Sequence, residues 1–170
     1  MATVTIKSGP ITNRDASPRV FNNACVADGD LKGWAGTLEA TAADDIGSKY
    51  IFGQIPSNAR VHQLLLYCDD QGTAGDADFG LYDTTENGGS VVDADFFGAA
   101  VDINAAALNA VDITHETGGS TAFGLEDGEK MVWQALGLSA DPKKMYDVVG
   151  TLTEANTAGA TIMLKASYAV

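Results

Sequence analysis

Nucleophilic catalysis of the Ser-His-Asp or Cys-His kind needs an imidazole to take the nucleophile's proton. The 170-residue sequence offers two, His62 and His115. His62 falls inside an expected strand and His115 in an expected loop beside Glu116, and no Gly-x-Ser-x-Gly turn precedes either. Both read as histidines of the surface or the core edge. Carboxylates two apart, at Asp28-x-Asp30, Asp76-x-Asp78 and Asp93-x-Asp95, have the spacing by which loops gather hard oxygen ligands for calcium. None continues into the full Asp-x-[Asp/Asn]-x-[Asp/Asn]-Gly loop with its distal Glu, so they read as solvated turn residues and no metal or cofactor is expected. Glu39, Glu86, Glu126, Glu129 and Glu154 are too scattered to nominate a glycosidase pair. Asp78-Phe79-Gly80 spells a kinase magnesium motif without the Gly-rich loop, strand lysine or catalytic loop that give it meaning. Gly88-Gly89 and Gly118-Gly119 lack the Lys-Ser/Thr ending of a phosphate-binding loop and read as turns. Trp34 and Trp133 have faces suited to stacking on a sugar, although packing in a core or subunit interface is the commoner use of such rings. The residues argue for no enzyme.

Charge narrows the partners. Ten Lys and Arg against 23 Asp and Glu give a net charge of −13, and nucleic-acid binding needs cations that displace phosphate counterions. Nucleic acid and anionic membranes are therefore not expected partners. Met-Ala-Thr-Val-Thr-Ile-Lys lacks the basic and apolar regions of a secretion signal, and the longest apolar runs fall far short of a membrane-spanning helix. The expected product is made in the cytosol and leaves only by lysis. Cys25 and Cys68, far apart and in no Cys-x-x-Cys pair, read as reduced, buried thiols.

The elements that would position these residues read as all-β. Residues 1–30 are crowded with turn formers around Pro10 and Pro18 and read as an extended arm with a short strand at Val4 to Lys7. Its apolar points are Val4, Ile6, Val20 and Phe21. Residues 31–170 read as one sandwich domain, with strands at Gly33–Ala40, Lys49–Gln54, Arg60–Cys68, Asp78–Tyr82, Val101–Ile103, Val111–Thr114, Tyr146–Thr153 and Thr161–Tyr168. Eight strands suit two sheets. In the last strand Ile162, Leu164, Ala166 and Tyr168 alternate with Thr161, Met163, Lys165 and Ser167, which predicts one core face and one wetter face. In the third, Leu64 and Leu66 oppose Leu65 and Tyr67, so that strand belongs mid-sheet. Short helices are expected at Asp93–Ala100 and Gly128–Leu136. The partial recurrence of Asp76-Ala77-Asp78-Phe79-Gly80 at Asp93-Ala94-Asp95-Phe96-Phe97-Gly98 reads as two Asp-bounded turns.

The block Gly53-Gln54-Ile55-Pro56-Ser57-Asn58-Ala59-Arg60-Val61 and the Leu-rich strand after it resemble a segment of small structural proteins from tailed-phage head gene clusters. The likeness continues, in order, through Asp78-Phe79-Gly80-Leu81-Tyr82-Asp83, Val92-Asp93-Ala94-Asp95-Phe96-Phe97, Trp133-Gln134-Ala135-Leu136-Gly137-Leu138 and Tyr146-Asp147-Val148. The resemblance is to tailed-bacteriophage capsid decoration, or cement, proteins. It implies a jelly-roll-like two-sheet β-sandwich on the virion exterior that binds neighbouring major capsid protein subunits as a homo-oligomer, a dimer or trimer. It carries over no catalytic residues. On that reading Val4, Ile6, Val20 and Phe21 are the expected capsid or subunit contacts, because an arm reaches a neighbour at little cost in folded mass. The alternative is a head-fibre or tail-associated recognition module that binds host glycan through Trp34 or Trp133.

Overall fold

Alternating side chains decide the architecture. A strand with one apolar face must bury it against a second layer, and here two four-stranded antiparallel sheets bury theirs against each other. The structure, a computed structural model, describes residues 6–24, 29–72, 75–103, 107–115 and 123–170. The strands are β1 (Leu31–Ala40), β2 (Lys49–Pro56), β3 (Arg60–Cys68), β4 (Asp76–Asp83), β5 (Val91–Asp102), β6 (Leu108–Asp112), β7 (Met145–Leu152) and β8 (Ala160–Ala169). Two short helices, α1 (Gly9–Asp15) and α2 (Val132–Ala135), accompany them. One sheet runs β1-β8-β3-β6 and the other β2-β7-β4-β5. Successive strands alternate between the sheets except at β4 and β5, which are neighbours in one sheet, and this interleaving is the jelly roll.

The core lies between the sheets. Leu64 and Leu66 of β3, Ile162 and Leu164 of β8, Phe79 and Leu81 of β4 and Tyr146 and Val148 of β7 are all fully buried. In β8 the expected alternation holds, with Ile162, Leu164 and Ala166 buried and Lys165 exposed between them. β3 lies between β8 and β6, the mid-sheet place that its two apolar faces predict. At the corner where β1 meets β2, two glycines allow close approach. A Cβ on Gly36 would lie 2.1 Å from the Phe52 carbonyl oxygen, and one on Gly53 would lie 2.7 Å from the Trp34 ring.

Several expectations need correction. Asp93–Ala100 is not helical but lies within β5, and the two Asp-Ala-Asp-Phe stretches are adjacent paired strands rather than turns, with Phe79 opposite Gly98. The helical look comes from bulges: register shifts along β4–β5 let consecutive Phe96, Phe97 and Gly98 all be buried, which breaks the period of two. The second helix is shorter than Gly128–Leu136, with a 3₁₀ turn at Leu125–Asp127 before α2. The arm is not simply extended. Pro10 sits in the first turn of α1, where its missing N–H costs nothing, so proline starts a helix there instead of preventing one. Ile6 and Lys7 are not in a strand, and Val4 lies outside the described residues.

Candidate interaction surface

The residues singled out for chemistry are not assembled into a reaction centre. His62 is exposed on β3, where partial burial and nearby Arg60 hold its imidazole below the usual range. His115 follows β6 and stacks on Phe123 with ring centroids 4.8 Å apart, the outer member of an aromatic set with Phe96 and Phe97. Among the described residues neither histidine is hydrogen-bonded to a carboxylate or hydroxyl, and no group of three or more His, Cys, Asp or Glu could hold a metal ion. Asp78 accepts the Ala100 N–H at 2.7 Å, and Asp93 and Asp95 are half-buried in β5, so these carboxylates belong to strands. Asp28 and Cys25 lie outside the described residues, as do Glu116, Gly118 and Gly119. Cys68 is a buried free thiol. Burial pushes its ionisation up, and Gln71 Nε2 donates to its sulfur at 3.1 Å.

The tryptophans serve the frame. Trp34 Nε1 donates to the Gln54 carbonyl at 2.9 Å while its ring lies against Gly53, so one face is spent on closing the corner between the sheets. Trp133 is half-buried, and its backbone N–H donates to the Ser57 carbonyl at 3.0 Å. An open cleft of about 450 Å³ lies beside β2, β7 and the Thr84–Asn87 turn. No aromatic platform lines it, and its polar groups pair with each other or with near neighbours, Gln54 to Asp147 at 2.8 Å and Lys144 to Asp83.

The exposed apolar residues of the arm are the remaining candidates. Residues 6–24 contain no buried side chain, yet they hold a local shape. Val20 N donates to the Asn13 carbonyl at 3.1 Å, Asn13 Nδ2 to Asn22 Oδ1 at 2.9 Å and Asn22 Nδ2 to the Pro10 carbonyl at 3.3 Å, so the chain after α1 folds back along it. Ile6 is 89% and Phe21 85% exposed, and Val20 is exposed too. Lys7 and Arg14 both reach Asp15, whose carboxyl is held well below the usual range by the Arg14 guanidinium first and Lys7 second. Arg19 lies 5.7 Å from the centre of the Phe21 ring. The structure thus brings Ile6, Val20 and Phe21 together on one small, basic, self-closed segment. The cations, Lys7 beside Ile6 and Arg19 beside Val20 and Phe21, with Arg14 between, were legible in the sequence but carry no weight in a reading by hydrophobicity alone.

At the far end of the sandwich, the loops after β1, β3, β5 and β7 are knit together. Tyr50 donates to Asp44 at 2.7 Å and accepts from Asn156 at 2.9 Å, Asn156 N donates to the Asp44 carbonyl at 3.1 Å, and Ala158 N donates to the Gln71 carbonyl at 3.0 Å. The Thr41 N–H first, and then the Tyr50 hydroxyl, hold the Asp44 carboxyl below its ordinary value. Burial, with Asp44 beside it, pushes the Tyr50 hydroxyl up, so it remains a donor.

No protein-family model matches the chain, and no curated protein does. Among solved structures it is similar to a chain of the capsid of Ralstonia phage GP4, with a TM-score of 0.56 and 19% identity over 83% of this chain and 84% of that one. A chain of the cyanophage Pam1 capsid asymmetric unit aligns with a TM-score of 0.48 and 13% identity, covering 84% of this chain and 86% of the other. At 19% identity, the likeness to the Ralstonia phage chain is one of fold.

Proposed function

We propose that this chain is a structural protein of a tailed-phage head that decorates the outside of the shell and stabilises it by binding neighbouring major capsid subunits. The observation that carries the reading is the jelly roll shared, over more than four-fifths of both chains, with a chain from a phage capsid. The same fold serves many unrelated roles, so the reading also leans on the ordered motifs that resemble decoration proteins and on the arm. A locally folded segment with exposed Ile6, Val20 and Phe21 has the chemistry of a docking element, and desolvating such side chains is what drives association. The protein acts by binding and catalyses nothing. Its sandwich, residues 31–170, is the rigid body and its first thirty residues the reaching part. The acidic body keeps a protein held at high local density soluble and away from nucleic acid.

Cosedimentation with mature heads lacking the protein tests this. Saturable binding at a fixed ratio to the capsid subunit is expected, weakened at least ~10-fold by replacing Ile6 and Phe21 with serine, since each buried apolar side chain contributes ~1.5–3 kcal/mol. Heads that pellet without the protein at micromolar concentration contradict the reading.

A further inference from the structure

The charge of the chain is unevenly distributed. Residues 6–24 carry Lys7, Arg14 and Arg19 against Asp15 alone, a surplus of two positive charges on a chain whose total is −13. The far end of the sandwich is the opposite. The described residues of the loops after β1, β3, β5 and β7 hold Asp44, Asp45, Asp69, Asp70 and Glu154 and not one Lys or Arg. Asp76 and Asp102, paired across β4 and β5, extend this acidic pole. Burial, then Glu154 and Asp102, raise the Asp76 carboxyl above its usual value, as crowding of like charge does. Lys49 is the nearest cation in sequence to the first of these loops, and its ammonium lies over the Tyr82 ring at 4.6 Å. In the middle of the pole's first loop, next to Asp44 and Asp45, stands Ile46, 67% exposed. Each surface therefore pairs exposed apolar side chains with charge, and the signs are opposite.

The place of the arm at the opposite end of its own sandwich decides whose pole it meets. The arm joins the sandwich at Leu31, beside Ala169, at the end away from the acidic loops, and α1 lies near Glu129, close enough for a Cβ on Gly9 to come 2.6 Å from that carboxylate. The ten residues of β1 separate Leu31 from the pole by about 30 Å. A second copy lying antiparallel brings its own acidic pole alongside the arm's point of attachment.

We propose that the arm docks on the acidic pole of a second copy of this chain, placing Phe21 and Ile6 against Ile46 with the arm's excess positive charge facing Asp44, Asp45, Asp69 and Asp70. Ile6 and Phe21 face the shell in the capsid reading, so this contact belongs to the chain free of the capsid, and it is read on the purified protein without heads. Sedimentation equilibrium of the full chain tests it, because attraction between exposed charges is screened beyond about 8 Å at physiological salt. The wild type is expected to associate, with a dissociation constant that rises ~10-fold or more between 50 and 500 mM sodium chloride. A reversed arm, Lys7→Glu with Arg14→Glu and Arg19→Glu, and a reversed pole, Asp45→Lys with Asp69→Lys and Asp70→Lys, should each be monomeric, with a cooperative melting transition that shows the sandwich still folded. An equimolar mixture of the two variants should associate again. A wild type that stays monomeric at 100 μM in 50 mM salt overturns the proposal, as does association untouched by the reversed arm, or a mixture that fails to recover.

Discussion

Tyr50 shows how much rests on one hydroxyl. It is a donor to Asp44 and an acceptor from Asn156, and thereby joins the loop before β2 to the loop before β8. Tyr50→Phe keeps the ring in the core but strips a partner from each neighbour, and unmaking buried hydrogen bonds of this kind costs about 1–3 kcal/mol. The loss should depend on pH in a defined direction. A carboxyl held below its ordinary 3.8 contributes stability that is complete above that value and disappears as the pH falls through its folded pKa. The gap between wild type and Tyr50→Phe in urea unfolding should therefore be full at neutral pH and narrow as the pH drops from about 4 to about 2. A gap that widens on acidification would mean that Tyr50 does not act through ionised Asp44.

At the scale of elements, the close approach of β1 to β2 is set by two residues without side chains. Gly36→Ala places a methyl group against the backbone carbonyl of Phe52, which has no rotamer to escape into, so a strand must shift. Overpacking of this sort costs about 1–3 kcal/mol. Thermal unfolding should show the loss, while Gly47→Ser, with open space around its Cβ position, should report only the smaller strain of a left-handed residue. Equal effects would mean that the corner is looser than its geometry. Among the strands that could be read from sequence, β2, β3 and β8 keep a period of two over much of their length, whereas β4 and β7, buried at consecutive positions, and β6, found at Leu108–Asp112 where Val111–Thr114 was expected, were legible as short apolar runs between turn formers. Residues 91–100 of β5 were hidden, leaving only its end legible in the expected strand at Val101–Ile103, because its bulges bury Phe96, Phe97 and Gly98 in succession, and because Asp93 and Asp95 look like turn formers when nothing indicates the neighbouring strand that half-buries them. α1 was hidden because Pro10 and the turn formers around it have the same composition whether they begin a helix or interrupt a chain. Pairing is a property of two strands, and one strand's letters do not contain it.

On the whole molecule, the apolar points of the arm were legible as Ile6, Val20 and Phe21, since nothing near them offers a partner face. Their meeting on one self-closed segment was not, because it depends on Asn13 and Asn22 folding the chain back. Nor was the acidic pole, whose carboxylates come from four stretches of sequence and converge only when the jelly roll places the loops after β1, β3, β5 and β7 at one end. On the proposed function, this sandwich sits outside a phage shell at symmetry-related positions. The most direct measurement is a pair of cryo-electron reconstructions of heads lacking the protein, with and without saturating purified protein. The difference map should hold an eight-stranded sandwich on the exterior, in contact with two or more capsid subunits and repeated by the shell's symmetry. A featureless difference, or density confined to the interior or to a tail, would contradict it.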